Sequence, residues 1–484
     1  MSKKNQNYTN RKQNRFQPER MRENVFLNNS GKQWLPGANG RAAKVERLLR
    51  GAKEEKKEIT GNMAGYKDSG VEEVKFIPKD WNTLRMKDAF NISKEIIGDK
   101  WTEAALLSLT TNGVKSITAD EQVGKRPKTF ATYQRVTKND IVMCLFDLDA
   151  SAVFSGLSGY DGMISPAYKI LKTKEQVLPE FANYYFQYIF EGRKYKKYAK
   201  SIRYTLSGEE FLRLLIVLPP LPEQQRIADF LDTKCGILDR TINAVSRQIE
   251  DLEKYKKALI TKTVTKGICK KGEPERAMKD SGVEWIGEVP EEWDVKRNSL
   301  NFDIRKTLVG ENWSNMQLLS LTTNGVKNIT IDDQVGKRPK TLATYQIAHK
   351  NDIVMCLFDL DASAVFSGLC KKNGIISPAY KLLKCKNGMF PPYAEYYFRA
   401  VFDGRKYKKY AKSIRYTIST NDFMHLKMPV PPFAEQQQIA DYLDEKCKNI
   451  DNRVQKRRQQ LEWLKEYKKS LIFDYVTGKK RVEK

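Results

Sequence analysis

Lysine, arginine and tyrosine alternate along one stretch of the chain, and the same stretch occurs a second time. The sequence GRKYKKYAKSIRYT begins at Gly192 and again at Gly404. Cations spaced in this way can bind phosphates, while arginine and tyrosine can approach base edges. The predicted DNA-binding residues of this stretch are Arg193, Lys194, Lys196, Lys197, Lys200, Arg203 and Tyr204, with Arg405, Lys406, Lys408, Lys409, Lys412, Arg415 and Tyr416 in the second copy. A solvated helical face is the alternative, and for any single lysine the two interpretations are equally good.

A second basic patch, VGKRPKT, begins at Val123 and again at Val335. Its proline restricts the backbone, so its cations would project from a stiff loop. Either patch can face DNA. The candidate DNA-binding residues of this patch are Lys125, Arg126 and Lys128, with Lys337, Arg338 and Lys340 in the second copy.

Two pairs of carboxylates are candidates for a catalytic site. Asp147 and Asp149 are two residues apart at an expected strand end, which puts both on one face, and Asp359 and Asp361 repeat them. A metal-dependent nuclease can use such a pair. No basic catalytic partner accompanies it at a recognisable spacing, and acids in this position more often form turns or accept hydrogen bonds from cytosine, lysine or arginine.

Other catalytic signatures are missing from the sequence. It contains no G-x-x-x-x-G-K-[ST] phosphate loop, no G-x-G-x-x-G turn and no H-E-x-x-H motif. The two histidines, His349 and His425, are replaced by Thr137 and Arg213 in the first copy of the repeat described below. We therefore predict no catalytic residue, no metal site and no cofactor in this chain.

Composition narrows the class of partner. The 86 Lys and Arg against 59 Asp and Glu leave a net charge of +27 over 484 residues, which favours nucleic acid as the partner. No apolar run is long enough to cross a membrane, the N-terminus lacks the apolar centre of a signal peptide, and the seven cysteines are scattered without a C-x-x-C pair. We expect a cytoplasmic protein with reduced thiols and no membrane partner.

An internal repeat organises the chain. IVMCLFDLDASAVFSG begins at Ile141 and returns unchanged at Ile353, and LSLTTNGVK begins at Leu107 and again at Leu319. Both pairs are offset by 212 positions (353 minus 141, 319 minus 107). The sequence therefore consists of one unit of about 210 residues written twice, each with a mixed globular part and a long, charged, helical part.

The helical part of each unit carries apolar residues alternately four and three positions apart, which predicts a coiled-coil seam. Lys256, Arg457 and Lys468 interrupt the pattern. An antiparallel pairing of the two helices buries both seams and puts one globular domain at each end of a rod of about 40 residues, roughly 60 Å long. The predicted seam residues are Leu231, Leu238, Ile242, Val245, Ile249, Leu252, Leu443, Ile450, Val454, Leu461 and Leu464.

The predicted fold is α+β, with two globular α+β domains separated by a long antiparallel coiled coil in a pseudo-two-fold internal repeat. Residues 63–218 and 273–430 are assigned to the first and second globular domains, and residues 219–272 and 431–484 to the two long helices. Residues 1–62, with 15 basic and 6 acidic side chains, are expected to form a flexible extension.

The layout resembles the specificity subunits of type I restriction-modification enzymes. Each long helix opens with a PPLxEQ-like motif, here LPPLPEQQRIADFLD from Leu218 and VPPFAEQQQIADYLD from Val430. SGVEEVKFIPKDWNT from Ser69 and SGVEWIGEVPEEWDV from Ser281 are similar to the family's lead-in to each recognition domain. The resemblance covers about Lys67 to Lys484.

The resemblance implies a non-catalytic subunit that binds double-stranded DNA. Each recognition domain would dock in the major groove of one half-site, and the helices would set the spacing and bind two modification subunits that use S-adenosylmethionine to methylate adenine. Restriction subunits would add ATP- and Mg²⁺-dependent translocation and cleavage.

Two features depart from the family pattern. Its members usually carry two different recognition domains, whereas these two are nearly identical, so we expect a bipartite, palindromic or nearly palindromic target with half-sites about 10 base pairs apart. The extension at residues 1–62 is also unexpected in the family. Two rival functions stay open: a self-contained methyltransferase or nuclease, and an RNA-binding scaffold.

Overall fold

The structure is a computed structural model. It describes residues 65–483 except 112, 122–126, 149–152, 192–197, 199–203, 269–271, 273–275, 324, 332, 334–340, 361–365 and 412–415. The expected extension at residues 1–62 lies outside the described residues. The chain divides into two compact units, Met1–Thr83 and Leu84–Lys484.

Most strands of the described chain are three or four residues long, and those of the second copy repeat those of the first at the 212-residue offset. The strands of the first copy are β1 (Tyr66–Asp68), β2 (Phe76–Pro78), β3 (Asn82–Arg85), β4 (Phe90–Ser93), β5 (Leu107–Thr110), β6 (Gly113–Ser116), β7 (Gln134–Val136), β8 (Ile141–Met143), β9 (Ser155–Leu157), β10 (Gly162–Ile164), β11 (Lys169–Thr173) and β12 (Leu215–Leu218). Those of the second are β13 (Met278–Asp280), β14 (Glu288–Pro290), β15 (Asp294–Arg297), β16 (Phe302–Arg305), β17 (Leu319–Thr322), β18 (Gly325–Asn328), β19 (Gln346–Ala348), β20 (Ile353–Met355), β21 (Ser367–Leu369), β22 (Gly374–Ile376), β23 (Lys381–Cys385) and β24 (Lys427–Val430).

The helices follow the same repeat. They are α1 (Met86–Ala89), α2 (Pro179–Glu191), α3 (Gly208–Arg213), α4 (Leu221–Lys266), α5 (Asn298–Asn301), α6 (Pro391–Asp403), α7 (Thr420–His425) and α8 (Phe433–Val476). Short 3₁₀ turns occupy Gly98–Thr102, Gly310–Asn315 and Lys406–Lys409. Among the residues described, no helix is both long and apolar enough to cross a membrane.

In the smaller unit, β1 and β2 form an antiparallel hairpin in which Tyr66 pairs with Pro78 and Asp68 with Phe76. The turn between them is closed by the Ser69 amide, which donates to the carbonyl of Lys75 over 2.7 Å. Lys75 adopts a left-handed conformation with φ of 61°. The equivalent position of the second copy is Gly287, which takes this conformation without steric cost.

In the larger unit, each recognition domain has a four-stranded antiparallel sheet, with the order β4-β11-β8-β9 in the first copy and β16-β23-β20-β21 in the second. The central strands are rich in isoleucine, valine and leucine, and the strand Ile141–Met143 is buried on both faces. Aromatic side chains attach the helices to these sheets: the rings of Phe90 and Phe186, and of Phe302 and Phe398, lie 5.4 Å apart. The α+β class is confirmed.

The two long helices pair antiparallel, as predicted. Lys256 of α4 contacts Asp451 of α8, and Asp239 of α4 contacts Lys468 of α8, so positions that advance on one helix retreat on the other. The second ion pair is the first one with the two copies exchanged, since 256 plus 212 is 468 and 239 plus 212 is 451. The helices therefore obey a pseudo-two-fold relation.

The middle of the helix pair encloses an apolar cluster that contains Val245, Ile249, Ile450, Val454 and Leu464, with Leu238, Ile242, Leu252 and Leu461 partly buried beside it. Leu443 instead belongs to the core of the second recognition domain, together with Ile260 and Val264 of α4. The second recognition domain thus packs on both helices. Leu231 is fully buried as well.

The motif that opens each long helix fastens it to its own recognition domain. Gln224 is completely buried; its amide nitrogen donates to the carbonyls of Gln176 and Pro219, and its amide oxygen accepts from the Leu178 amide. Gln436 repeats all three bonds in the second copy, with Gly388, Pro431 and Phe390. A buried amide is stable only when it is hydrogen-bonded, which explains why this position is glutamine.

Candidate nucleic-acid interface

The repeated cationic stretch is described mainly in the second copy, where it is not an α-helical face. Helix α6 ends at Asp403, Arg405 adopts a left-handed conformation with φ of 50°, and Lys406–Lys409 forms a 3₁₀ turn. Tyr407 points inward and is buried, whereas Arg405 and Lys409 are exposed. The alternation of cations and aromatics therefore separates side chains that hold the segment from side chains that face solvent.

This segment holds a short loop that we name the Phe-Asp loop, residues 357–360 in the second copy and 145–148 in the first. The amide of Ile418 donates to the carbonyl of Leu357 over 2.8 Å, and the hydroxyl of Tyr407 donates to the carbonyl of Leu360 over 3.2 Å. In the first copy the amide of Leu206 donates to Leu145 over 2.8 Å. In the second copy the loop thus packs against the cationic segment.

An aspartate in a left-handed conformation occupies the loop in both copies. Asp147 has φ of 48° and Asp359 φ of 50°. Their amides donate to the hydroxyls of Thr205 and Thr417 over 3.3 and 3.4 Å. The expectation that these acids end a strand was wrong: β8 stops at Met143, because the chain then leaves the sheet to bond with the cationic segment. Asp149 and Asp361 lie outside the described residues.

An exposed phenylalanine precedes each of these aspartates. Phe146 and Phe358 are 38% and 39% exposed, and their rings lie 5.8 and 6.1 Å from those of Tyr168 and Tyr380. Burial raises the pKa of both tyrosines, so their hydroxyls stay protonated. An apolar ring held open to solvent in a cationic surface is suited to contact a base or a thymine methyl group.

The lysines of the segment differ in their surroundings. Lys408 lies 4.4 Å from the ring centre of Tyr416, and Lys406 lies 5.9 Å from that of Trp285. Lys409 pairs with Glu284 at 2.5 Å, and this hydrogen bond lowers the pKa of Glu284. Lys409 is therefore partly neutralised within the domain, while Arg405 is exposed at the start of the segment.

The structure brings together only part of the predicted DNA-binding set. Tyr204 lies beside the Phe-Asp loop of the first copy, and it shares φ of 49° with its counterpart Tyr416. Lys128 is exposed, and no contact among the described residues joins it to the loop. The predicted residues outside the described part of the chain are Lys125, Arg126, Arg193, Lys194, Lys196, Lys197, Lys200, Arg203, Lys337, Arg338, Lys340, Lys412 and Arg415.

Phe146 and Phe358, and with them Tyr168 and Tyr380, are not among the residues predicted from the sequence. Their signal was available: both rings lie in segments that are identical in the two copies, IVMCLFDLDASAVFSG and ISPAYK. When an exposed aromatic residue ends a buried apolar run, the sequence does not distinguish it from the buried residues unless the end of the strand is known.

The described residues contain no cluster of histidine, cysteine, aspartate and glutamate that could hold a metal ion. The Nδ1 atom of His349 lies 3.6 Å from Asp352 Oδ2. At the corresponding position of the first copy, the hydroxyl of Thr137 donates a hydrogen bond to Asp140. His425 contacts the carbonyl of Asn421 on its own helix. Each histidine therefore contacts a residue three or four positions away in the sequence.

Residues 78–254 match the model of the type I restriction modification DNA specificity domain. The corresponding residues of the second copy are 290–466, at the 212-residue offset (78 plus 212, 254 plus 212). The match thus spans a recognition domain and most of the long helix that follows it.

Two curated proteins of Methanocaldococcus jannaschii are similar over most of the chain. The type I restriction enzyme MjaVIII specificity subunit is 25% identical over 458 residues, which is 87% of this chain and 98% of the relative. The putative type I restriction enzyme MjaX specificity subunit is 23% identical and covers 86% of this chain and 98% of its own.

A solved chain, from work on complex assembly and conformational transition of the type I R-M system, has a similar fold. The TM-score is 0.60 at 13% identity, and the match covers 83% of this chain and 98% of that one. This likeness supports the fold: two recognition domains joined by paired long helices.

Proposed function

Because this chain belongs to the type I restriction-modification specificity subunits, we propose that it selects the DNA target and that each recognition domain binds one half of a bipartite, nearly palindromic site. The chain supplies recognition, and the chemistry is carried out by other subunits. We place this complex in the cytoplasm, where DNA is accessible.

One observation carries the proposal: the Phe-Asp loop is built twice, and the two long helices obey a pseudo-two-fold relation. Both Phe-Asp loops have a left-handed aspartate, an exposed phenylalanine and the same hydrogen bond to the following segment. Duplex DNA has local two-fold symmetry, so like surfaces in this relation fit like half-sites in inverted orientation.

The partners follow from the same assignment. Two modification subunits that hold S-adenosylmethionine would bind the helices and methylate an adenine in each half-site. Restriction subunits would supply ATP-driven translocation and Mg²⁺-dependent cleavage. Lys406 and Lys408, with Arg405 and the corresponding residues of the first copy, would contact phosphates and position the domains.

An adenine methylation assay tests this function. We expect the purified chain alone to transfer no methyl group from S-adenosylmethionine to DNA, and its modification subunit alone to transfer few, whereas the mixture methylates adenine. Methylation or Mg²⁺-dependent cleavage by the chain alone would support the self-contained enzyme instead. Stronger binding to structured RNA than to duplex DNA at matched salt would support the RNA scaffold.

A further inference from the structure

The left-handed aspartates of the two Phe-Asp loops are unusual in both conformation and charge. A residue other than glycine at positive φ is uncommon, and such conformations persist where the surroundings hold them, often at binding sites. Asp147 and Asp359 differ by only 2° in φ. The recognition domains thus maintain the same constrained backbone twice.

Contacts on both sides of the aspartate fix the loop. In the second copy, Leu357 accepts from Ile418 on one side, and Leu360 accepts from Tyr407 on the other. The Asp359 amide itself is directed to Thr417. Because the backbone bonds are satisfied by these neighbours, the carboxylate is not needed to hold the loop.

The loop that carries this acid also lies against the cationic segment that begins at Gly404. Among the residues that the structure describes, no lysine or arginine pairs with Asp147 or Asp359, although Arg405, Lys406 and Lys408 lie in the segment that clasps the second loop. By contrast, Lys409 of that segment pairs with Glu284. In the described part of the chain, Asp359 therefore forms no ion pair with the cations of this segment.

An acid on a DNA-binding surface repels phosphates, so it is favourable only where it faces a hydrogen-bond donor. In the major groove the donors on base edges are the amino groups of cytosine and adenine. The exposed ring of Phe358, held beside the acid by Tyr380, would exclude water from this hydrogen bond and so strengthen it.

We propose that Asp147 and Asp359 determine specificity, each accepting a hydrogen bond from the amino group of a cytosine or adenine in its own half-site. This inference rests on the proposed function and adds to it the residue that distinguishes one base pair. Each aspartate then controls one position of one half-site.

The test uses Asp359→Asn, because asparagine also tolerates the left-handed conformation and removes only the charge and the purely accepting character. Adenine methylation by the full chain with its modification subunit would be measured on duplexes in which each position of the target carries each of the four base pairs. The target is first determined with the unmodified chain. Asp147→Asn is measured in the same way.

Asp303→Asn is the matched control. Asp303 is exposed on β16, at the opposite edge of the sheet from β21, and its counterpart in the first copy is Asn91, so the same change of charge occurs at a position where the fold already accepts asparagine. We expect this variant to leave base preference unchanged at every position.

For Asp359→Asn we expect discrimination at one position of one half-site to fall by roughly 5- to 150-fold, the range of one good base contact, while the other half-site is unchanged. Asp147→Asn should change the matching position of the other half-site. Unchanged preferences, equal changes in both halves, or loss of methylation on every duplex alike would overturn the inference. If the unmodified chain directs no methylation, the proposed function fails instead.

Discussion

Gln224 and Gln436 illustrate how single residues fasten the elements of this protein together. Each side chain satisfies two backbone carbonyls and one backbone amide at the junction between a recognition domain and its long helix. Replacing either residue by alanine would leave these three groups buried without partners.

We predict that Gln436→Ala lowers the free energy of unfolding by about 2–4 kcal/mol, since each buried unsatisfied group costs about 1–3 kcal/mol and some regain water. Chemical denaturation measures the change. Gln437→Ala, at the exposed neighbouring position, should alter stability by less than about 0.5 kcal/mol. Equal effects of the two substitutions would contradict the assigned role of Gln436.

Glu395 marks a difference between the copies, because its counterpart in the first is Asn183, which accepts a hydrogen bond from Ser155. Burial raises the pKa of Glu395 to about 8, while the hydroxyl of Ser367 acts in the opposite direction. The folded state therefore holds this proton more tightly than the unfolded state, whose pKa is near 4.5. The contribution of Glu395 to the free energy of unfolding is fully present below pH 4.5 and is lost as the pH rises through 8.

We predict that Glu395→Gln stabilises the protein at pH 9 by on the order of 1–3 kcal/mol, because it removes a poorly solvated charge, and has little effect near pH 4.5. Thermal unfolding of both proteins across this pH range provides the test. Parallel curves for the two proteins would show that Glu395 is well solvated.

At the scale of elements, two of the three charged residues that interrupt the apolar seam lie within the pair of long helices. Lys256 and Lys468 occupy seam positions, yet each reaches an aspartate of the opposite helix, Asp451 and Asp239 respectively. Lys256 retains only 14% side-chain exposure. Charged pairs as well as apolar spacing therefore specify the antiparallel arrangement of the two long helices.

We predict that Asp451→Lys destabilises the protein by about 0.5–1 kcal/mol and that adding Lys256→Asp recovers most of the loss, as expected for a partly exposed pair. A double-mutant cycle by thermal unfolding gives the coupling. Asp239→Lys with Lys468→Asp is the symmetry-related control and should behave alike. Absence of coupling in both cycles would argue against this register of the helices.

The fold was largely predictable from the sequence, whereas the site was predictable only in part. The 212-residue repeat and the heptad spacing gave the two domains and the antiparallel helices, because those patterns are local and periodic. The strands were harder: Asp147 and Asp359 were expected at strand ends, but β8 and β20 end at Met143 and Met355. Where a strand ends depends on long-range bonds, such as that from Ile418 to Leu357, which spacing does not encode.

Cation composition indicated the segment that begins at Gly404 but did not identify what lies beside it. By its spacing from Asp361, Asp359 resembles one member of a nuclease pair, and no local pattern distinguishes Phe358. Their common position became evident only from the contacts with Tyr407 and Thr417, about 50 residues later in the chain. Such tertiary contacts are outside the reach of propensity and periodicity.

At the scale of the larger unit, residues 84–484, an arginine beyond the end of each long helix closes the antiparallel pair. Arg276, beyond the end of α4, binds Glu435 at the start of α8, and Arg481, beyond the end of α8, binds Glu223 at the start of α4. The two glutamates are counterparts at the 212-residue offset (223 plus 212 is 435), whereas the two arginines, 205 positions apart, are not. Both ends of the helix pair are thus closed by an Arg–Glu contact, made by arginines at non-equivalent positions.

The sequence of the methylated target tests most directly whether this protein selects two like half-sites. Single-molecule methylation sequencing would compare DNA from cells expressing this chain with its modification subunit and DNA from cells that lack the chain. We predict a new split motif whose halves match in inverted orientation. A split motif with unrelated halves would contradict the inference from the duplicated surfaces, and methylation that does not depend on the chain would contradict the proposed function itself.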